Sequence, residues 1–320
     1  MNPVSRDLYV DQLLTNILLG YSNPIYIADL IAPLVTVTKQ SGLIPAMLQS
    51  DWFRDSAQKR GPGTPSLGHG FGTDLTATYY CHRYSFRHEI DDDTRGNAGP
   101  PFQLDSMSTK FVGDKILMKR EVNWATQNFK TGVWASDKTG GTDFTAWDDI
   151  GGGNPAKDIE DYRNDIEERI GAEANTLVIG KRVWSSGLKF NPVLVDMVKY
   201  TQRGQLGPEL VASLLEVDKL HIGKAIYTTT IAGTAEASVT YSRIWGKKAL
   251  LMHVAPSPGI MAPSASYTFA WTREGAPAGP WYIKRMRNEE AEIDIIEANS
   301  YFDQKVTQSR AGTFMTSVVS

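Results

Sequence analysis

The stretch AQKRGPGTPSLGHGFG, Ala57 to Gly72, gathers five glycines, two prolines and the adjacent cations Lys59 and Arg60. Its flanks decide its role. Before it runs AMLQSDWFRDS. After it, DLTATYYCHRYSFRHE places Leu75, Ala77, Tyr79 and Cys81 on one face and Thr76, Thr78, Tyr80, His82 and Tyr84 on the other. That alternation, rich in β-branched and aromatic residues, predicts a strand. Two extended segments joined by a long Gly/Pro loop predict an oversized hairpin over residues 46–92. Neither face is clearly apolar, and a two-stranded ribbon alone is marginal in water. The hairpin is therefore expected to rest on another domain or on another subunit.

The glycine-rich stretch does not fit a phosphate loop. Its lysine precedes the glycines, and no GK[ST] opens a helix. GHGFG is not GxGxxG, and a strand follows where a dinucleotide site needs a helix. NTLVIGKRVW, from Asn175, is better placed as a strand-to-helix turn, but the single Gly180 is a weak phosphate signal. An α/β enzyme with a ligand near Gly180 stands as the alternative from a different class. His82 and His88 share strand parity, yet no Cys/His cluster surrounds them to complete three or four metal ligands. His69, His221 and His253 add no cluster. Cys81 lacks an orienting acid and reads as a filler rather than a nucleophile. The acidic run Glu89 to Asp93 lacks calcium-loop spacing, and DIEDYRNDIEERI fits the solvated face of a helix. GxSxG, HExxH and the kinase motifs are missing. The expectation is a non-enzyme with no cofactor and no metal.

Composition supports this. The chain has 320 residues, 41% hydrophobic and 22% charged, with a net charge of −3. It falls in the ordinary globular range and is long enough for a sizeable core. The slight acidity argues against coating nucleic acid, though not against enclosing it. One cysteine excludes an internal disulfide and fits a reducing compartment. No apolar run approaches the ~18 residues of a membrane span, and YIADLIAPLVTV is broken by Pro33. MNPVSRDLYVDQ has no signal-peptide core. No membrane association is expected.

Residues 1–45 read as an arm, with a short amphipathic segment at Leu8–Leu19 and then Pro24, Pro33 and Pro45. From Asp105 to Phe129, the apolar residues Phe111, Met118, Val122, Ala125 and Phe129 form one helical stripe, with Asp105 or Ser106 as cap. At ~1.5 Å per residue that helix would be about 37 Å long. Residues 130–154 read as loop. Asn154-Pro155 opens a helix with Ile159, Tyr162, Ile166 and Ile170 on one face, ended by Gly171. The buried strand NTLVIG follows, then helices at Asn191-Pro192 and Gly207-Pro208 and the strand LHIG. This alternation predicts a compact α/β unit. KKALLMHV, SYTFAWT, AEIDIIEANSYFDQKV and GTFMTSVV read as strands, and there is no internal repeat.

In this order of elements the sequence resembles the phage major capsid proteins of the Hong Kong 97 type over nearly its whole length. The most specific text is NTLVIGKRVWSSGLKFNPVLVDMVKYTQRGQLGPELVASLLEVDKLHIGKAIYTT, Asn175 to Thr229, which is similar to the axial domain of one branch. The close, YFDQKVTQSRAGTFMTSVV, resembles that family's return through the peripheral domain to a last axial strand. The resemblance implies an α+β fold: N-terminal arm 1–45, hairpin (the E-loop) 46–92, and a peripheral domain 93–153 with its spine helix at 105–129. It continues with an axial domain 154–284, return strands 285–308 and a last axial strand 309–320. It further implies hexamers and pentamers in an icosahedral shell that encloses double-stranded DNA without sequence-specific binding. Separate scaffolding and portal proteins are implied, a decoration protein is left open, and the place is the virion after assembly in the host cytoplasm. The arm is short and starts at Met1, which implies an unprocessed chain. Expected intersubunit contacts are the aromatics Trp52, Phe53, Tyr80 and Tyr84 and the cations Arg54, Lys59, Arg60 and Arg83. Each aromatic could equally fill its own subunit's core. Lys59 sits where some relatives form Lys–Asn crosslinks, but no motif selects a partner Asn, so noncovalent locking is expected. An encapsulin-type compartment, with the same fold around a cargo enzyme, is the nearer alternative.

Overall fold

The computed structural model describes residues 25–320 except 48, 67, 69, 71, 99–102, 200–205, 232, 258–263 and 273–280. The amphipathic segment Leu8–Leu19 and His69 lie outside them.

The strands, in chain order, are β1 (Leu34–Val37), β2 (Ser41–Leu43), β3 (Ala46–Met47), β4 (Thr73–Asp74), β5 (Thr78–Tyr80), β6 (His82–Asp91), β7 (Ser136–Thr139) and β8 (Thr176–Gly180). They continue with β9 (Lys219–Gly223), β10 (Ile226–Thr228), β11 (Tyr241–Arg243), β12 (Ala249–Met252), β13 (Ser266–Trp271), β14 (Trp281–Asn288), β15 (Ile293–Val306) and β16 (Gly312–Thr316). Two five-stranded sheets organise them. In the first, the long β15 pairs with β13 and β14 through different parts of its length and with β6, while β1 extends the sheet parallel to β13. The second runs β7-β16-β12-β8-β9.

The second sheet forms where the sequence is most regular. Every residue of β8 and β12 is buried, as expected for strands covered on both faces. Helix Pro155–Ile170 packs on it through Ile159, Tyr162, Ile166 and Ile170. Asn154 caps that helix by accepting from the Lys157 N–H, and Gly171 closes it at φ 67°, a conformation that favours glycine. Asn191 caps helix Pro192–Val198 in the same way.

Helix Leu104–Asn128 crosses between the sheets. Val112 and Ile116 join Ile90, Ile283, Ile296 and Ala298 on the first sheet. Trp124, Ala125 and, just beyond the helix, Phe129 enter the main core with β8, β12 and Trp245. The stripe expected from the sequence is displaced. Phe111 is 44% exposed, whereas the inward face includes Val112, Ile116, Trp124 and the buried polar residues Ser108, Thr109, Arg120 and Glu121. A period counted on apolar residues alone misses a face built partly from polar ones. The expected cap differs as well: the cap position is Gln103, without a side-chain hydrogen bond, and Asp105 instead pairs with Arg95 at 2.8 Å.

Strand pairing also differs from the expected boundaries. β13 and the start of β14, expected in the axial domain ending at 284, belong to the first sheet, and β7, expected in a loop region before 154, belongs to the second. The reason is non-local pairing. Leu34–Val37 and Thr268–Trp271 lie side by side, a neighbour no local pattern announces.

Candidate intersubunit contact surface

The hairpin is built by two short antiparallel ladders, β2 with β5 and β3 with β4. Beyond them Gln49–Trp52 makes a helical turn, so the expected extended segment on that side is interrupted. Asp51 accepts from the Gly72 N–H at 2.9 Å and ties the two sides together below the tip. From Phe53 to Ser66 every residue is exposed except half-buried Ser56. Arg54, Lys59 and Arg60 thus stand in solvent at the end of the ribbon.

The hairpin's lower part has a core that the sequence did not disclose. Tyr79 stacks on Phe269 with centroids 4.8 Å apart, and Cys81 is buried in a cluster with Ile44, Tyr267, Phe269, Tyr282 and Tyr301. A Cβ on Gly42 would stand 2.9 Å from the Tyr79 ring, so glycine there lets the ring lie flat. The other face of β6 meets the long helix, where Tyr84 and Ile90 join the Val112 cluster. Each face is covered in a different place by a different partner, which is why neither reads as apolar along its whole length.

The eight expected contact residues divide accordingly. Phe53 is 64% and Tyr80 49% exposed, and both lie, with Arg54, Lys59 and Arg60, on the hairpin. Phe53 also approaches its own chain: a Cβ on Gly171 would come within 2.5 Å of its ring. Trp52 ends the helical turn, and its side chain is outside the described set. Arg83 and Tyr84 both have partners inside the subunit. Arg83 bridges Glu297 at 3.0 Å and Asn299 at 2.8 Å, and Tyr84 stacks on Phe302 at 4.4 Å. Their strand is paired along β15, so their partners were fixed by a segment more than 200 residues away.

The chemical alternatives find little support. Burial pushes the Cys81 thiol up to about 12, far from the range of a reactive thiolate. His82 and His88 lie six residues apart on one strand, roughly 20 Å, against Tyr80 and Phe111 respectively. The acidic run after Glu89 is structural: Asp91 caps a short helix by accepting from the Thr94 N–H, and Asp92 accepts from Arg287 at 2.7 Å. Arg287 holds the Asp92 carboxyl below its usual range. In the second acidic run Asp158 accepts from the Trp147 indole N–H at 2.9 Å. At Gly180 there is no room for a side chain, since a Cβ would stand 2.0 Å from the Gly246 carbonyl oxygen. Gly180→Ala is expected to lower the unfolding free energy of the isolated subunit by about 3 kcal/mol, because backbone blocks the added methyl. A urea titration measures this. An unchanged midpoint would reopen the ligand alternative.

Two features were missed by sequence reading. One is a second hairpin, β10–β11, with Ile226 51%, Ile231 83% and Tyr241 53% exposed. Its strands are only three residues each, too short to give a period-2 signal separable from loop. The other is a buried polar joint. Glu121 accepts from the Ile27 N–H at 3.0 Å, the Ala28 N–H at 2.7 Å and the Trp245 indole N–H at 2.6 Å. It thereby ties the N-terminal segment, the long helix and the second sheet's core. Beside it, buried Arg120 pairs with Asp29 at 2.9 Å and lies over the rings of Trp281 and Phe302 at 5.0 and 5.3 Å. Burial pushes the Glu121 carboxyl up to about 7.

No family model matches the chain. In sequence it is similar to the major capsid protein of Burkholderia phage BcepMu, 23% identical over 99% of both chains. In structure it is similar to a phage-related protein from Bordetella bronchiseptica RB50, with a TM-score of 0.75 and 20% identity over 97% of this chain and 98% of the other. The capsid of cyanophage P-SCSP1u matches with a TM-score of 0.57 and 13% identity over 89% and 86% of the two chains. The SrpI encapsulin of Synechococcus elongatus PCC 7942 matches with 0.51 and 9% identity over 100% and 92%.

Proposed function

We propose that this chain, whose fold is the Hong Kong 97-type α+β capsid fold, is a structural major capsid protein that self-assembles into an icosahedral shell. The observation that carries the proposal is the hairpin: an arm anchored by its base in the first sheet, with a cationic tip that is exposed in the single subunit. Such an arm has no task within one chain, and it fits a contact with a neighbour. The end-to-end similarity to a phage capsid protein favours this over an encapsulin-type compartment, which shares the fold.

In this proposal the subunits form hexamers and pentamers, with β8, β9, β12 and β16 in the unit nearest each capsomer axis and the first sheet with the long helix at its periphery. In this reading β13 and all of β14 go with the peripheral unit, which their pairing with β15 supports. Phe53, Arg54, Lys59, Arg60 and Tyr80 make the hairpin contacts, with Trp52 beside them, and hold noncovalently. The enclosed double-stranded DNA is bound without sequence preference, because strong phosphate neutralisation would oppose packaging and release. Scaffolding and portal proteins act as separate chains, assembly takes place in the host cytoplasm, and the mature location is the virion. The role is structural rather than enzymatic.

Negative-stain microscopy of the purified protein is expected to show shells, rings or capsomers. A clean monomer that turns over a small molecule would overturn the proposal. Nucleic acid within the shells supports a phage capsid, and a packaged enzyme supports the encapsulin alternative.

A further inference from the structure

Along the long helix Met107, Phe111, Asp114 and Met118 stand at steps of four, three and four, which aligns them on one side. Met107 is 53% and Phe111 44% exposed. Phe86 of β6, 39% exposed, widens this strip, its ring 5.8 Å from that of Phe111. Lys115 lies over Phe111 at 5.2 Å, and exposed Lys110 flanks the strip. The upstream end of the chain reaches this side of the helix at Asp114.

The direction of that approach is informative. Ala28 and Ile27 donate to Glu121, while Tyr26 donates from its hydroxyl to Asp114 at 3.1 Å. Followed backward, the contacts move about 10 Å along the helix toward its N-terminus, and so toward Phe111 and Met107. Upstream in the sequence stands Leu8–Leu19, in which Val10, Leu13, Leu14, Ile17 and Leu18 share one side of a 3.6-residue period. Asp11, Gln12, Thr15 and Asn16 fall on the other. The connection from Leu19 to Ile25 can reach at most about 20 Å, enough to bring the segment onto the strip. Asp7 and Asp11 would also meet Lys110 and Lys115, a match of charge.

We propose that Leu8–Leu19 packs its apolar side onto the Met107–Phe111–Phe86 strip of its own subunit. The segment then covers the strip before assembly. This inference stands apart from the shell proposal, because it concerns the isolated chain.

Hydrogen exchange on the full-length unassembled subunit tests it. Amides of residues 13–18 are expected to exchange at least tenfold slower than an unstructured peptide, and Met107→Glu with Phe111→Glu should abolish that protection while β8 stays protected. Absent protection in the parent chain, or protection unchanged in the variant, would overturn the proposal. If the helix variant fails to keep β8 protected, Leu14→Glu with Leu18→Glu should give the same local loss from the other side. A disulfide engineered between Leu14→Cys and Phe111→Cys should close within one chain. A band of two linked chains would mean that a second copy supplies the segment, and no link at all would mean that nothing from this segment docks there. Either result defeats the proposal.

Discussion

Replacing Glu121 with alanine is expected to destabilise the isolated subunit by roughly 3–5 kcal/mol, since it strands buried N–H donors and leaves a void. The three donors come from two distant parts of the chain: the adjacent backbone amides of Ile27 and Ala28 and the indole of Trp245. The carboxyl group is fully buried, at 0% exposure. Glu121→Gln should cost less, about 1–3 kcal/mol, because one oxygen still accepts while the amide nitrogen faces a donor.

The two variants separate on pH. Burial is the largest influence on Glu121 and pushes it up to about 7, against the opposing pull of its N–H donors, while the negative charge of Asp29 adds to the upward shift. The folded subunit therefore holds this proton more tightly than the unfolded chain does. Linkage fixes the sign: the contribution is full below the ordinary carboxyl range, near pH 4.5, and is lost as pH rises through about 7. A shift of that size corresponds to roughly 3 kcal/mol. The parent chain should lose stability relative to Glu121→Gln between pH 5 and 8, measured as the difference between their urea midpoints. A difference that is flat, or that grows in the other direction, would show that the hydrogen bonds rather than burial govern the group.

Deleting Gln58 to Gly72 is expected to abolish shells, or to reduce them at least tenfold by light scattering, while the subunit's thermal midpoint moves by only a few degrees. The removed residues include the tip with Lys59 and Arg60 and exclude the aromatic cluster around Tyr79 and Cys81. The hydrogen bond from Gly72 to Asp51 is the one described tie that goes with them, worth about 1 kcal/mol. The double substitution Lys59→Ala with Arg60→Ala should weaken assembly less and make it less sensitive to salt, because exposed ion pairs are screened. If the deletion unfolds the subunit, the tip belongs to its core and the contact assignment falls.

What the sequence disclosed follows a physical division. Helix Pro155–Ile170 was legible because its cap, its stripe and its terminal glycine are all local. β8 was legible because a strand buried on both faces is continuously apolar. The hairpin was legible from its turn residues and alternation. Less could be read where the partner is remote. Arg83 looked like an unpaired cation until Glu297 and Asn299 lay beside it, and β13 looked like part of the axial domain until β1 and β15 paired with it. The long helix misled because its inward face spends Arg120 and Glu121 on a polar joint and leaves Met107 and Phe111 outside. The sequence text contains these residues, but their partners, Asp29 for Arg120 and Trp245 for Glu121, are distant in the chain.

The path of the backbone carries a mechanical consequence. The chain passes from the first sheet to the second between β6 and β7, returns between β12 and β13, and crosses again between β15 and β16. Three covalent connections thus span the joint, and β16 lies between β7 and β12. A stretching force in the plane of a shell would be shared among them, and no single crossing would bear it alone. Pulling the two units apart would have to shear β16 from both of its neighbours at once, so the subunit should bend at the joint well before it tears there.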